Sequence, residues 1–138
     1  MLRWLRERSG KSRKGAEPRT TVLVCDDDHG VQEAYKLILS ERYALKIVGN
    51  GREAVKVLRR QAIPVMILDL KMPELDGLEV LRRVRESAPA TRVIISTGYR
   101  SVETAQEAAR LGCQDYLTKP FTPQDVLGAV EQALARQG

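Results

Sequence analysis

The sequence predicts an α/β fold: an open five-stranded parallel sheet, strand order 2-1-3-4-5, with five helices covering both faces. Three observations carry this. Short β-branched or aliphatic runs alternate with helical stretches five times in about 115 residues from Thr21 onward. Runs one, three and four are apolar almost throughout, as strands buried on both faces must be, whereas runs two and five are mixed and suit the edges. Right-handed crossovers then place the helices on both faces, and 2-1-3-4-5 is the usual order at this size.

In chain order, the strand runs are Thr21-Val22-Leu23-Val24-Cys25, Leu45-Lys46-Ile47-Val48, Val65-Met66-Ile67-Leu68, Arg92-Val93-Ile94-Ile95-Ser96 and Gln114-Asp115-Tyr116-Leu117-Thr118. Asp28 can cap a first helix with Val31, Ala34, Tyr35 and Ile38 on one face. Asn50-Gly51-Arg52-Glu53 resembles a capping box ahead of Ala54, Val57 and Leu58. Leu78, Leu81, Val84 and Arg85 continue a third helix that should stop before Pro89. Ser101 opens a fourth, with Val102, Ala105, Ala108 and Ala109 expected inward and Gly112 beyond its end. Thr122-Pro123 reads as an N-cap with proline at the first helical position, followed by Val126, Val130 and Leu134.

Composition narrows the function. A hydrophobic share of 43% and a charged share of 30% are those of a globular domain. No apolar run is long enough for a membrane span, and no signal-peptide core follows the basic start, so a cytoplasmic protein is expected. Cys25 and Cys113 have no second Cys or His at metal spacing and read as reduced core-filling residues. Of 23 basic and 18 acidic residues, seven and two lie within residues 1–20, leaving sixteen of each beyond. The whole surplus of +5 therefore sits in a basic, Gly- and Ser-containing N-terminal tail, 1–20, ahead of a neutral domain, 21–138. A neutral body with few aromatics is not a nucleic-acid face, so no direct nucleic-acid binding is expected.

Sheets of this kind bind ligands at the carboxyl ends of their strands. There stand Asp26, Asp27 and Asp28, then Asp69, then Thr97 with Gly98, then Lys119 with Pro120. Each piece alone has a plainer reading, as a helix N-terminus, a turn residue or a solvated lysine. Together they place crowded carboxylates beside something positive, either a divalent metal or Lys119. Hard oxygen ligands favour Mg²⁺, which takes one or two carboxylates and a phosphoryl oxygen. A threonine hydroxyl and a lysine ammonium suit the other phosphoryl oxygens. A remaining carboxylate is then a nucleophile, so the constellation reads as phosphoryl transfer to an aspartate.

The motifs Val22-Leu23-Val24-Cys25-Asp26-Asp27-Asp28, Leu68-Asp69-Leu70-Lys71-Met72-Pro73-Glu74-Leu75-Asp76-Gly77, Ser96-Thr97-Gly98 and Asp115-Tyr116-Leu117-Thr118-Lys119-Pro120-Phe121 resemble the receiver domain of a two-component response regulator, a flavodoxin-like fold. The likeness covers residues 21–136, and Ser101-Val102-Glu103-Thr104-Ala105 points to receivers of the nitrogen-regulator type. The resemblance implies a phosphoacceptor rather than an enzyme. It makes Asp69 the phosphoacceptor. Asp27 and Asp69 would ligate Mg²⁺ directly, with Asp26 assisting through water and Lys71 giving its backbone carbonyl. Thr97 and Lys119 would hold the phosphoryl group, with Thr97 and Tyr116 acting as the switch. A cis Lys119–Pro120 peptide would aim the lysine. Lys71 and Tyr99 flank the site and would either shield the acyl phosphate or position a water. The implied partners are a sensor histidine kinase or histidine phosphotransfer protein and a downstream protein target, with room for a phosphorylation-dependent homodimer. His29 reads as a solvent-facing first-turn residue.

The chain ends at Gly138, which leaves two readings: a stand-alone receiver, or a receiver fragment of a larger transcriptional regulator or hybrid kinase. A remote alternative is a haloacid-dehalogenase-like phosphatase, since Asp26-Asp27-Asp28 contains an Asp-x-Asp motif; it lacks an acidic pair after a late strand and leaves Met72-Pro73 and Asp76-Gly77 unexplained. A flavin-binding module is weaker, because an acidic first loop repels phosphate.

The tail's expected state is solvated. The alternatives are a protein-docking arm, and an amphipathic segment around Leu2, Trp4 and Leu5 on an anionic membrane or nucleic acid. Deleting residues 1–19 is therefore expected to leave melting temperature and Asp69 phosphorylation rate unchanged. A large loss in either, measured on the two chains side by side, would mean that the tail packs on the domain.

Overall fold

Each apolar run becomes a strand. The strands are β1 (Thr21–Cys25), β2 (Ala44–Val48), β3 (Val65–Asp69), β4 (Arg92–Thr97) and β5 (Asp115–Thr118). They alternate with α1 (His29–Leu39), α2 (Gly51–Arg60), α3 (Gly77–Ser87), α4 (Val102–Arg110) and α5 (Pro123–Ala135). This computed structural model describes residues 19–70, 77–98 and 102–136. The tail through residue 18, Lys71, Tyr99 and Ser101 lie outside them.

All strand pairs are parallel, and the order is β2-β1-β3-β4-β5. The expected order and the mixed edge strands are both borne out. Two ends differ usefully from the sequence reading. Asp69 and Thr97 are the last residues of β3 and β4, not the first residues past them. Both are held by the ladder itself, since Asp69 pairs in register with Ser96 and Thr97 with Thr118.

Side-chain alternation divides the core in two. Leu23, Cys25, Met66, Leu68, Val93 and Ile95 face α2, α3 and α4. Val22, Val24, Val65, Ile67 and Ile94 face α1 and α5. This parity decides what comes next. Asp69 and Ser96 continue the second series, on the α1 and α5 side. Asp26 does too, because its N–H still donates to the Val48 carbonyl (3.1 Å) and so prolongs the strand geometry by one residue.

The caps form as their residue types dictate. The Asp28 carboxylate accepts from the Val31 N–H at 3.0 Å. The Asn50 side chain accepts from the Glu53 N–H at 2.9 Å, and the Glu53 carboxylate lies toward Lys56. A full reciprocal box closes at Thr122 and Asp125, behind Pro123. Gly112, at φ +92°, ends the turn after α4 in a conformation that favours glycine. On α4 the inward expectation fails for two residues. Val102 is 70% exposed and Ala109 is exposed, while Ala105 is half-buried and Ala108 is buried. A helix whose apolar residues are mostly alanine has several faces of nearly equal hydrophobicity, so its packing selects one that periodicity does not.

Gly77 opens α3 directly against the backbone of Leu70. A Cβ there would stand 2.4 Å from the Leu70 Cα and 2.7 Å from its carbonyl oxygen. Neither backbone atom can give way without moving Asp69, one residue earlier. Gly77→Ala is therefore expected to destabilise the chain by about 1–3 kcal/mol, the usual cost of forced overpacking. Gly128→Ala in α5, where a Cβ meets nothing within 4 Å, should instead stabilise it by about 0.5–1 kcal/mol. Denaturant melts of the two variants check both signs.

Candidate functional site

Four strand ends meet at one edge of the sheet. β1 and β3 are neighbours, so Asp26 and Asp69 come side by side on the α1 and α5 face. Both are buried, at 1% and 5% exposure. Asp26 accepts the Asp28 N–H (3.0 Å) at Oδ1, and its carbonyl accepts the Gln32 side-chain amide (2.6 Å). Asp27 follows and is exposed at the rim. One carboxylate oxygen from each of Asp26, Asp27 and Asp69 lies within 4.8 Å of the others. Asp28 is diverted to the helix cap.

Lys119 reaches into this cluster from the end of β5. Its Nζ is 2.9 Å from Asp26 Oδ2 and 3.5 Å from Asp69 Oδ2. The Lys119 N–H also donates to the Thr97 carbonyl at 3.0 Å, which carries the β4–β5 pairing right to the site. The Lys119–Pro120 peptide is cis, as the motif implied. Thr97 is fully buried at the end of β4. Tyr116 pairs in register with Ile95 and is half-buried against the α2, α3 and α4 side. Asp26, Asp27, Asp69 and Lys119 thus converge as the sequence reading expected, and Thr97 ends the strand next to that of Asp69. Lys71 lies outside the described residues, and exposed His29 starts α1.

The electrostatics are unbalanced. Among the described residues, three carboxylates meet one ammonium. At an effective dielectric of about 20, two charges near 5 Å apart interact by roughly 3 kcal/mol, so repulsion between Asp26 and Asp69 is of the same order as what Lys119 offsets. Nearby groups feel this field. Burial, followed by the charges of Asp26, Asp69 and Asp27, pushes the Cys25 thiol up to about 12, which leaves it a neutral core residue. Burial likewise raises the Tyr35 hydroxyl, with Asp26 and Asp69 adding to it. An all-carboxylate donor set with one exposed member fits a hard divalent cation that retains part of its water shell.

Sequence reasoning passed over one group beside this site. Tyr35, from the middle of α1, is fully buried. Its hydroxyl donates to Ser96 Oγ at 2.9 Å, and its ring stacks on Phe121 with centroids 5.0 Å apart. The available signal was Ser96 itself, a polar residue directly after the apolar run Val93-Ile94-Ile95, which demands a buried partner. By contrast, a cleft of about 490 Å³ lined by Leu58, Arg60, Ile63, Pro64, Ala88 and Pro89 lies at the opposite edge, where β3 and β4 begin.

The comparisons with known proteins agree with this geometry. The family described as response regulator receiver domain matches residues 22–131. The transcriptional regulatory protein ZraR of Escherichia coli K12 is 36% identical over 115 residues, covering 83% of this chain and 26% of that protein. An uncharacterized 14.6 kDa protein of Leptolyngbya boryana is 36% identical over 114 residues, covering 80% of this chain and 87% of that one. The crystal structure of a CheY-like response regulator receiver domain protein from Methanospirillum hungatei superposes with a TM-score of 0.83 at 28% identity, covering 86% and 96% of the two chains. The chain spans about a quarter of the length of the curated transcriptional regulators it matches. With the family matched along 22–131 and the same fold found in a solved receiver, the chain belongs to the response regulator receiver domain family.

Proposed function

We propose that this chain accepts a phosphoryl group on Asp69 from the phosphohistidine of a sensor histidine kinase or histidine phosphotransfer protein. It then signals to a downstream protein target by a change of shape. The observation that carries this reading is Asp69 itself: a buried carboxylate at the end of β3, with the Lys119 ammonium at 3.5 Å and Thr97 ending the next strand.

In the proposed step an Asp69 carboxylate oxygen attacks phosphorus in line with the breaking P–N bond. The bonding pair leaves with the imidazole nitrogen, solvent supplies its proton, and an acyl phosphate forms. Lys119, already inside the pocket, pairs with a phosphoryl oxygen as the Asp69 charge is consumed. The Thr97 hydroxyl donates to another. Asp26, Asp27 and Asp69, with the Lys71 backbone carbonyl, are the groups that would hold Mg²⁺. When bound, Mg²⁺ neutralises charge on the phosphoryl oxygens. This makes the chain a phosphoacceptor rather than a turnover enzyme, a reading that the family match favours over the phosphatase alternative. We place it in the cytoplasm; no described helix is long and apolar enough to cross a membrane.

The output face is α4, β5 and α5. Thr97 ends β4, and Tyr116 stands on adjacent β5, so a movement of Thr97 toward the phosphoryl group changes what Tyr116 packs against. This is a two-state element that a ligand can bias through differential contacts. The receiver acts either alone or within a longer regulator such as those it resembles. Phosphorylation-dependent homodimerisation through this face fits both. In either setting the neutral body carries no nucleic-acid function of its own.

Asp69→Asn is expected to abolish labelling by acetyl phosphate in Mg²⁺, while undiminished labelling would refute the assignment. Asp27→Ala should weaken Mg²⁺ binding by roughly tenfold or more, measured by titration calorimetry. The unaltered chain should show almost no turnover of small phosphomonoesters, whereas a phosphatase would show it. Amide chemical shifts on phosphorylation should move along α4, β5 and α5; changes confined to the Asp69 pocket would count against the switch.

A further inference from the structure

Tyr35 takes no part in the reading above, yet among the described residues it is the largest fully buried side chain, and it stands under the site. Two contacts define it. Its hydroxyl donates to Ser96 Oγ at 2.9 Å. Its ring stacks on Phe121 at 5.0 Å with an interplanar angle of 28°. Ser96 immediately precedes Thr97 on β4 and pairs in register with Asp69. Phe121 comes two residues after Lys119. One rigid side chain on α1 therefore braces both polypeptide segments that deliver the phosphoryl-holding groups.

We propose that Tyr35 is a positioning residue for phosphoryl transfer: through Ser96 and Phe121 it fixes where Thr97 and Lys119 stand relative to Asp69. The inference rests on the phosphoacceptor reading and adds to it a group that touches neither metal nor phosphoryl oxygen. The sheet parity gives the reason. Asp26, Asp69 and Ser96 all project to the α1 and α5 face, so whatever packs there forms the floor of the pocket. A phenylalanine would fill the same space but leave Ser96 Oγ without this partner in a buried setting, free to turn and to loosen the end of β4. Smaller replacements would also remove the face on which Phe121 rests. Phosphoryl transfer has little covalent chemistry for the protein to perform, so positional error is paid directly in rate.

The test compares the full chain with Tyr35→Phe, Ser96→Ala and the double variant. Asp69→Asn serves as the blank. Acetyl phosphate is varied in saturating Mg²⁺, well below each melting temperature. Tyr35→Phe is expected to lower the maximal phosphorylation rate by roughly threefold to tenfold, short of the about hundredfold that a 1 Å misplacement costs. The half-saturating donor concentration and the Mg²⁺ affinity should stay within about twofold of the wild type, because the direct ligands are untouched. Ser96→Ala should match it, and the double variant should be no slower than either single one, because all three lose the same hydrogen bond. A wild-type maximal rate in Tyr35→Phe overturns the inference, as do additive losses in the double variant. A lower melting temperature with an unchanged rate also overturns it, since that is all a purely structural tyrosine would give. Failure of the wild-type chain to label at all overturns the phosphoacceptor reading and this inference together, whereas wild-type labelling with an unaffected Tyr35→Phe overturns the inference alone. Should Tyr35→Phe fail to fold, Ser96→Ala carries the same comparison: reduced maximal rate supports the inference and an unchanged one ends it.

Discussion

Asp26 and Asp69 are carried to the same place by strands that must be neighbours, and both are almost fully buried there. Lys119, at 2.9 and 3.5 Å from them, is the charge that lets a folded domain keep two carboxylates out of water. Its ammonium comes from the far side of the sheet, by way of β5 and the turn into α5. The pocket therefore exists only when β1, β3, β4 and β5 are all in register. Fold and site are one construction, in which the sheet order brings the charges together and the charges report whether the order is right.

The compensation is incomplete by design of the residue set. Among the described residues one ammonium stands against three carboxylates, and the third, Asp27, is left at the solvent rim. That imbalance gives the pocket its chemistry. In the proposed function a hard divalent cation would relieve the repulsion, and a phosphoryl group would bring the negative charge that Lys119 and Thr97 would meet. The proposed reaction at Asp69 would change the charge that Lys119 balances, which is a physical reason for phosphorylation to be felt beyond the pocket.

Much of this was legible in the residues. Apolar runs bounded by helix signals yielded the strands, their order being the usual one at this size, and Asp69, Thr97 and Lys119 stood out as polar residues closing runs that are otherwise buried. Cap chemistry was legible at Asp28 and Thr122, where side-chain type and spacing decide the hydrogen bond alone. What was not legible depended on comparing several elements at once. The exposed Val102 and Ala109 came from a helix of alanines, whose small methyl groups define no face strongly. The bracing of Ser96 and Phe121 by Tyr35 joins α1, β4 and the β5–α5 turn across 61 and 86 positions of sequence, and no local pattern reports it. Gly77 looked like part of a motif; only the 2.4 Å approach to Leu70 gives its physical reason.

The account turns on a pocket with more negative charge than Lys119 offsets, and the most direct test is the melting temperature of the full chain against Mg²⁺ concentration at constant ionic strength. A ligand bound only by the folded state adds about 2.7 kcal/mol at a hundredfold excess over its Kd, which is a rise of several degrees for a domain of this size. The expected result is a saturable increase with single-site dependence that K⁺ does not reproduce. A flat response, or a rise that a monovalent salt of equal ionic strength matches, would contradict the account.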